Sequence, residues 1–336
     1  MRFRLSLLLA ALAVCLAPHA SAQTLAAIKE RGTLACGVSQ GVLGFSAQLN
    51  GQWSGLDVDF CRALAAAIFN DATKVTFVAL SAEERFGALQ GKRIDVLSRN
   101  STWTMSRETA LGLAFTGVTY YDGQAFMVRY ARNIASALEL KGAKVCVQAG
   151  TTTELNLRDY FRANGMTLEA VPLANAEEAL AAYQAGRCDA LTADASQLHG
   201  ERVKAARPDD HDILPEIISK EPLGPVVRQD DFQWFNIVKW VHFAMLNAEE
   251  LDVGTQNFNA ASASTKPEVM RLVGTEGNFG EQLGLTKDWA ARVLRLVGNY
   301  GDVYERNVGM KSRLGIPRGI NQLWTSGGIL YAPPIR

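Results

Sequence analysis

The sequence predicts an α/β protein of two related lobes joined by a two-strand hinge. Three observations predict it. The first is an internal repeat: residues 82–97 read AEERFGALQGKRIDVL and residues 176–191 read AEEALAAYQAGRCDAL. Without a gap, Ala82, Glu83, Glu84, Ala88, Gln90, Arg93, Asp95 and Leu97 recur as Ala176, Glu177, Glu178, Ala182, Gln184, Arg187, Asp189 and Leu191. Each copy is an amphipathic helix turning at a glycine into a short apolar strand, which points to duplication of a lobe. The second is a pair of extended segments, Tyr120–Val128 with Gly123 and the Pro- and Gly-containing KEPLGPVVR at 220–228, placed to cross between lobes. The third is length: 336 residues are enough for two domains with separate cores.

The chain begins with a leader. Arg2 and Arg4 precede an apolar run from Leu5 to Leu16, followed by Pro18 and Ala20-Ser21-Ala22. A basic start, a short apolar run and an A-x-A site mark a secretory signal cleaved near Ala22. The run is too short to span a membrane. Leu12-Ala13-Val14-Cys15 departs from a lipoprotein box at Val14, where a small residue is wanted. The first lobe is then expected over 23–125 and 229–336, and the second over 126–228. Thr33–Val38 reads as the first strand, and a helix follows Gly55 with Asp57 as its N-cap. Val75, Phe77 and Leu80 form a strand ahead of the first repeat copy, whose own strand is Ile94, Val96 and Leu97. In the second lobe, residues 143–148 form a strand, Gly150–Glu154 open a helix, and the second copy leads to another helix near Ser196. After the return crossing, a helix from Asp230 carries Trp234, Ile237, Val238, Val241 and Met245 toward the first lobe. The C-terminal end, with Gly327-Gly328 and Pro333-Pro334, reads as irregular chain on the surface.

The chemistry gathers where the repeat strands end. Past Leu97 come Asn100-Ser101-Thr102 and then Arg107, whose guanidinium is a rigid fork of donors suited to a carboxylate. The position matching Asn100 in the second copy is Asp194. Ligands of open α/β sheets bind beyond the carboxyl ends of the strands. A cation on one lobe and an anion on the other suit a zwitterion such as a free α-amino acid. Thr151 and Thr152 open a helix whose free N–H groups make an anion site. Asp95 and Asp189, matched across the repeat, read as structural, tying the preceding turn, and His199, His211 and His242 as surface or hydrogen-bonded residues.

Composition limits the partners. With 48% hydrophobic and 20% charged residues the chain is ordinary globular material. Loss of Arg2 and Arg4 takes Lys+Arg from 34 to 32 against 34 Asp+Glu, a net charge of about −2 with no surplus for nucleic acid. Cys36, Cys61, Cys146 and Cys188 remain after the leader and permit three pairings. Cys36–Cys61 with Cys146–Cys188 keeps each bond inside one lobe; four buried free thiols are the alternative. No C-x-x-C or neighbouring His completes a metal site, and no G-x-x-x-x-G-K-[ST] loop is present; no cofactor is expected.

These residues resemble the periplasmic amino-acid-binding proteins of ABC importers, the polar amino-acid class of solute receptors and within it the general L-amino-acid-binding group. The blocks GLDVDFCRALAAAIF, DVLSRNSTWTMSR, TGVTYYDGQAFMV, CVQAGTTTELNLRDYF, GRCDALTADASQL, LPEIISKEPLGPVVRQ and GNYGDVYERNVG carry the likeness in order along the mature chain. The resemblance implies the bilobal type II periplasmic-binding-protein fold, a monomer, a free L-amino acid as ligand and membrane permease subunits as partners. It implies that Arg107 binds the α-carboxylate and Asp194 the α-ammonium. Asn100, Thr102, Thr152 and Thr151 add contacts, and Gln148 stands where a side-chain-selecting residue sits. Ser39 belongs to the loop after the first strand, Ser39-Gln40-Gly41-Val42-Leu43-Gly44-Phe45, which holds no carboxylate. That departure speaks for broad specificity rather than selection of basic side chains, with Phe45 and Trp103 as apolar walls.

The competing class is an enzyme on the same scaffold, such as a dehydratase acting on a cyclic amino-acid precursor. It requires a cleft carboxyl group placed on the substrate; Glu154 is the nearest candidate, one turn into its helix.

Overall fold

The computed structural model describes residues 24–336; the leader, its cleavage site and Gln23 lie outside the described residues. In chain order the first segment contains α1 (Thr24–Arg31), β1 (Leu34–Val38), the hairpin β2 (Ala47–Leu49) and β3 (Gln52–Ser54), α2 (Leu56–Phe69), β4 (Val75–Ala79), α3 (Arg85–Gln90), β5 (Val96–Leu97), α4 (Met105–Thr109) and β6 (Leu113–Phe115). β7 (Tyr120–Asp122) leads out of it. The middle segment contains β8 (Gln124–Arg129), β9 (Lys144–Gln148), α5 (Thr152–Ala163), β10 (Glu169–Leu173), α6 (Ala176–Gln184), β11 (Ala190–Asp194), α7 (Ala195–Lys204) and β12 (His211–Ile213). β13 (Glu221–Leu223) leads back to β14 (Val226–Arg228) and α8 (Phe232–Glu250). Five shorter helices follow: α9 (Phe258–Ser262), α10 (Pro267–Val273), α11 (Phe279–Gln282), α12 (Trp289–Leu296) and α13 (Tyr300–Asn307).

Two five-stranded sheets organise these elements, in the orders β4-β1-β5-β14-β6 and β10-β9-β11-β8-β12. In each, three strands run parallel and the next is antiparallel, β14 against β5 and β8 against β11. Each antiparallel strand is the one the chain enters directly after crossing. The repeat reappears as matching bonds. Asp95 donates its N–H to Ala35 O at 2.8 Å and accepts Ala35 N–H at 2.8 Å. Asp189 does the same with Lys144, at 2.7 and 2.8 Å. Both aspartates also hold an arginine, Arg31 and Arg132; they are structural as expected, but they fasten β5 and β11 to the neighbouring strands rather than tying the preceding turn.

The two crossings pair with each other. β7 and β13 run antiparallel, with Asp122 opposite Glu221 and Tyr120 opposite Leu223. Gly224, next along, packs so closely on the Gly117 carbonyl that any Cβ would collide with it. The segment 120–128 is extended as expected but divides at Gly123 into a hinge strand and a sheet strand.

The large core lies in the first lobe, where α2, α8 and α12 bury Leu64, Trp234, Ile237, Val241 and Val293. Each such side chain contributes on the order of 1.5–3 kcal/mol when fully buried. Asp231 caps α8, accepting Trp234 N–H at 2.9 Å. The disulfide Cys36–Cys61 ties β1 to α2, and Cys146–Cys188 ties β9 to the turn before β11.

Four local expectations change. The repeat strand is Val96–Leu97 alone, because Ile94 precedes a turn held by Asp95. Asp57 is not the N-cap of α2; Gly55 is, and Asp57 is buried inside the first turn, where it serves the site. The C-terminal chain is irregular but not confined to the surface: Leu314, Ile316, Leu323, Leu330 and Ala332 are apolar enough to join the first-lobe core. His242 packs against Phe60, Phe243 and Tyr300, and among the described residues its ring nitrogens have no hydrogen-bond partner. Burial holds it neutral by lowering its pKa to about 4.

Candidate functional site

From the first lobe, β5 ends at Leu97 and the chain turns immediately. Asp57, reaching from the first turn of α2, accepts Ser98 Oγ at 2.9 Å and Asn100 N–H at 2.8 Å. This anchor holds Asn100 at φ 35°, a left-handed conformation that asparagine tolerates. Burial pushes the Asp57 carboxyl up to about 6, against those two bonds and the Arg99 charge. Arg99 itself is buried, its Nε donating to Leu80 O at 2.9 Å. Thr104 caps α4 and so places Arg107, whose Nη1 donates to Thr102 O at 2.8 Å while the guanidinium lies 5.3 Å from the Phe86 ring centroid. Arg85, at the start of α3, donates to Ala82 O at 2.6 Å and keeps an unpaired Nε. Burial destabilises the Arg85 cation, and the like charges of Arg99 and Arg107 add to it.

From the second lobe, Thr151 caps α5: its Oγ1 accepts Glu154 N–H at 3.3 Å and donates to Gln148 O at 2.7 Å. Thr152 is therefore the first residue of the helix and its hydroxyl is released from capping. β11 ends on Asp194. Its carboxylate does not cap α7; Asp122 takes that place, accepting the Ser196 hydroxyl and, at 3.4 Å, the Ser196 N–H. Among the described residues no group donates a hydrogen bond to the Asp194 carboxylate, though the side chain is only 6% exposed. Burial pushes its pKa well up, Asp122 and Glu221 push it further, and Arg107 and Arg85 oppose them.

These groups meet. Asn100, Thr102, Arg107, Gln148, Thr151, Thr152 and Asp194 line one cavity of about 40 Å³ between the lobes. Arg99, Gln148, Ala176 and Glu201 are shared with a second cavity of about 550 Å³, which Ser39 also lines. The Ser39 hydroxyl is committed to Ser46 at 2.5 Å.

Two expected walls are elsewhere. Phe45 packs edge-on to Tyr120 at 5.2 Å in the first-lobe core, because Gly44 turns the loop inward. Trp103 stacks on Phe115 at 5.5 Å, donates Nε1 to Glu108 and lines neither cavity. Glu154, the candidate acid, accepts Gly150 N–H and pairs with Arg158, outside the cavity lining. Residues the sequence did not single out line the cavity too: Arg85, Arg99, Thr153, Gln197 and Glu201. Two of them sit at repeat-matched positions, Arg85 opposite Ala179 and Arg99 opposite Ala193, and all four line the cavity, but an alanine partner gives no sign of function. Glu201 is paired with Lys204 at 3.1 Å.

Comparison with known proteins places the chain. The family described as bacterial extracellular solute-binding proteins, family 3, matches residues 34–253. The chain is 54% identical over 323 residues to the general L-amino acid-binding periplasmic protein AapJ of Rhizobium johnstonii, covering 95% of each. It is 49% identical to the glutamate/glutamine/aspartate/asparagine-binding protein BztA of Rhodobacter capsulatus, covering 97% of each. A solved periplasmic binding protein of an ABC transporter from Brucella ovis, with glutathione bound, superposes with a TM-score of 0.92 at 53% identity, covering 93% of this chain and 99% of that one. The chain belongs to the bacterial extracellular solute-binding proteins, family 3, and has their two-lobe type II fold.

Proposed function

We propose that this protein captures free L-amino acids of varied side chain between its lobes and delivers them to an ABC permease. The observation that carries the reading is Asp194: a buried carboxylate, without a donor among the described residues, in the same small cavity as Arg107. A buried charge of this kind is costly unless paired. The α-ammonium of an amino acid is a partner of the right sign and size for it. The α-carboxylate goes to the Arg107 fork and the N–H groups at the start of α5, which have no intrahelical acceptor. Asn100, Thr102 and Thr152 flank the α-carbon, with Thr151 holding the helix start and Gln148 toward the guest's side chain. The wide second cavity, entered past Arg99 and Gln148, leaves room for different side chains. The relatives support the class of guest: two carry amino acids in their names, and glutathione bears the same ammonium–carboxylate pair at its γ-glutamyl end.

Because Arg107 and Asp194 belong to different lobes, a guest that bridges them favours the closed form, and the closed form is what permease subunits would read. On this reading residues 23–125 and 229–336 form one lobe and 126–228 the other. The leader is cleaved near Ala22, the mature protein works as a monomer in the periplasm, and it performs no chemistry on its guest. The test is a thermal-shift screen against the common L-amino acids, followed by product analysis of each mixture. A guest at a hundred times its Kd adds about 2.7 kcal/mol of stability. Binding with quantitative recovery of the unchanged amino acid is the expected result. No shift with any of them contradicts the reading, and conversion to a new product favours the enzyme class.

A further inference from the structure

The hinge strand β13 carries a group that the amino-acid reading leaves unused. Glu221 is 1% exposed, and its two oxygens receive four donors. Asn156 Nδ2 and Ser219 Oγ donate to Oε1 at 2.6 and 2.8 Å. Thr102 Oγ1, from the first lobe, and Thr152 Oγ1, from the second, both donate to Oε2, the latter at 2.9 Å. The arrangement is complementary to a carboxylate, which only accepts. It also fixes the direction of both hydroxyls. A hydroxyl has one proton, and each threonine spends its proton on Glu221. The two oxygens, 3.3 Å apart and both lining the cavity, are left with lone pairs alone.

We propose that Glu221 is a positioning residue for amine recognition: by taking the Thr102 and Thr152 protons it turns both hydroxyls into acceptors that, together with Asp194, select a guest bearing an ammonium group. This rests on the amino-acid reading above. Two oxygens facing each other through lone pairs repel until a donor N–H stands beside them, and an ammonium with three donors can serve Asp194 and both threonines at once. A guest with a hydroxyl in place of the amine has one proton to offer and leaves two acceptors unmet, a mismatch that buried sites reject strongly.

The experiment compares two probes by calorimetry: the tightest-binding L-amino acid found in the screen, and the α-hydroxy acid with the same side chain. The proteins are wild type, Glu221→Gln, Thr152→Val and Thr152→Ser. The amide of Glu221→Gln presents an N–H₂ to two of the four donors; standing beside Thr102 and Thr152, it turns their protons toward the cleft. Wild type is expected to prefer the amino acid by at least about a hundredfold. Glu221→Gln should narrow that preference at least tenfold with an unchanged far-ultraviolet spectrum; Thr152→Val should narrow it too, and Thr152→Ser should restore it. A variant that unfolds is replaced as the readout by the threonine pair, which leaves Glu221 in place. Equal loss of both probes in Glu221→Gln and Thr152→Val, or an unchanged ratio in both, overturns the assignment of Glu221 while leaving amino-acid capture standing. A wild type that binds no amino acid overturns both.

Discussion

Thr102 and Thr152, carried by different lobes, bring their Oγ1 atoms within 3.3 Å of each other directly over the hinge carboxylate of Glu221. Lys204 of the second lobe also donates to Gly41 O of the first, at 2.9 Å. Polar contacts thus join the lobes at the hinge and at Lys204–Gly41, and the charged pair that would meet a guest, Arg107 and Asp194, lines the cavity they share.

Affinity should depend on pH with a definite sign. The empty-site carboxyl of Asp194 is pushed well up by burial, then by Asp122 on β7 and Glu221 on β13, and opposed by Arg107 on α4 and Arg85 on α3. Burial also raises Asp122, to about 6. An incoming ammonium requires the Asp194 carboxylate, so binding expels a proton wherever the empty site still holds one. Amino-acid affinity should therefore weaken as pH falls, by up to about tenfold per pH unit for each proton released on binding. Calorimetry in buffers of different ionisation heat measures both the trend and the released proton. A Kd that does not change with pH would contradict the placement of Asp194.

Asp57 makes a stability prediction of its own. Its folded-state pKa of about 6 lies above the usual aspartate value of 3.8, so between those values the folded chain binds more protons than the unfolded one. Stability must then fall as pH rises from about 4 to about 6 on this group's account, and the full cost persists above that range. A shift of that size corresponds to about 3 kcal/mol. Asp57→Asn can still accept Asn100 N–H and donate to Ser98. It is expected to be as stable as wild type or more so at neutral pH, with a flatter stability profile below it. Urea denaturation across that window gives the comparison; an unaltered slope would show that Asp57 is not the group responsible.

The two disulfides should each matter to stability and not to recognition. Cys36–Cys61 closes a sequence separation of 25 and Cys146–Cys188 one of 42. Loop-closure entropy assigns bonds of these spans about 3–4 kcal/mol each. Replacing either pair by alanines should lower the denaturation midpoint accordingly while leaving the Kd for an amino acid within about threefold, because neither bond borders the inner cavity.

Asn321, far along the C-terminal chain, fastens the hinge from outside. Its Oδ1 accepts Tyr121 N–H at 2.7 Å and its Nδ2 donates to Tyr121 O at 2.9 Å, completing the free edge of β7. The side chain is 4% exposed, so Asn321→Ala strands the half-buried Tyr121 N–H and C=O, each at up to about 1–3 kcal/mol. Hydrogen exchange at Tyr120–Asp122 should quicken in that variant. Unchanged protection there would mean that the tail does not brace the hinge.

The sequence revealed the parts that duplication made redundant. Asp194 could be placed because Asn100 marks the same point in the other copy, and the strand-fastening aspartates because they recur. Arg85 and Arg99 sit at equally matched positions, but their counterparts are alanines, which carry no chemical cue. Phe45 and Trp103 depend on which aromatic each finds in three dimensions, Tyr120 and Phe115, and no local pattern encodes that. Glu221 was hidden in a segment legible only as a connector. Its role exists because β13 pairs with β7 and lies beneath two threonines distant in sequence.

The central claim is that Arg107 and Asp194 together hold the two charged ends of one amino acid, and titration of Asp194→Ala with an amino acid that binds wild type tests it most directly. Losing a buried charged partner costs about 2–5 kcal/mol, and a micromolar complex is worth about 8 kcal/mol in all. The predicted result is a Kd weakened at least about thirtyfold, with Arg107→Ala behaving alike. A Kd for either variant within about threefold of wild type would contradict it.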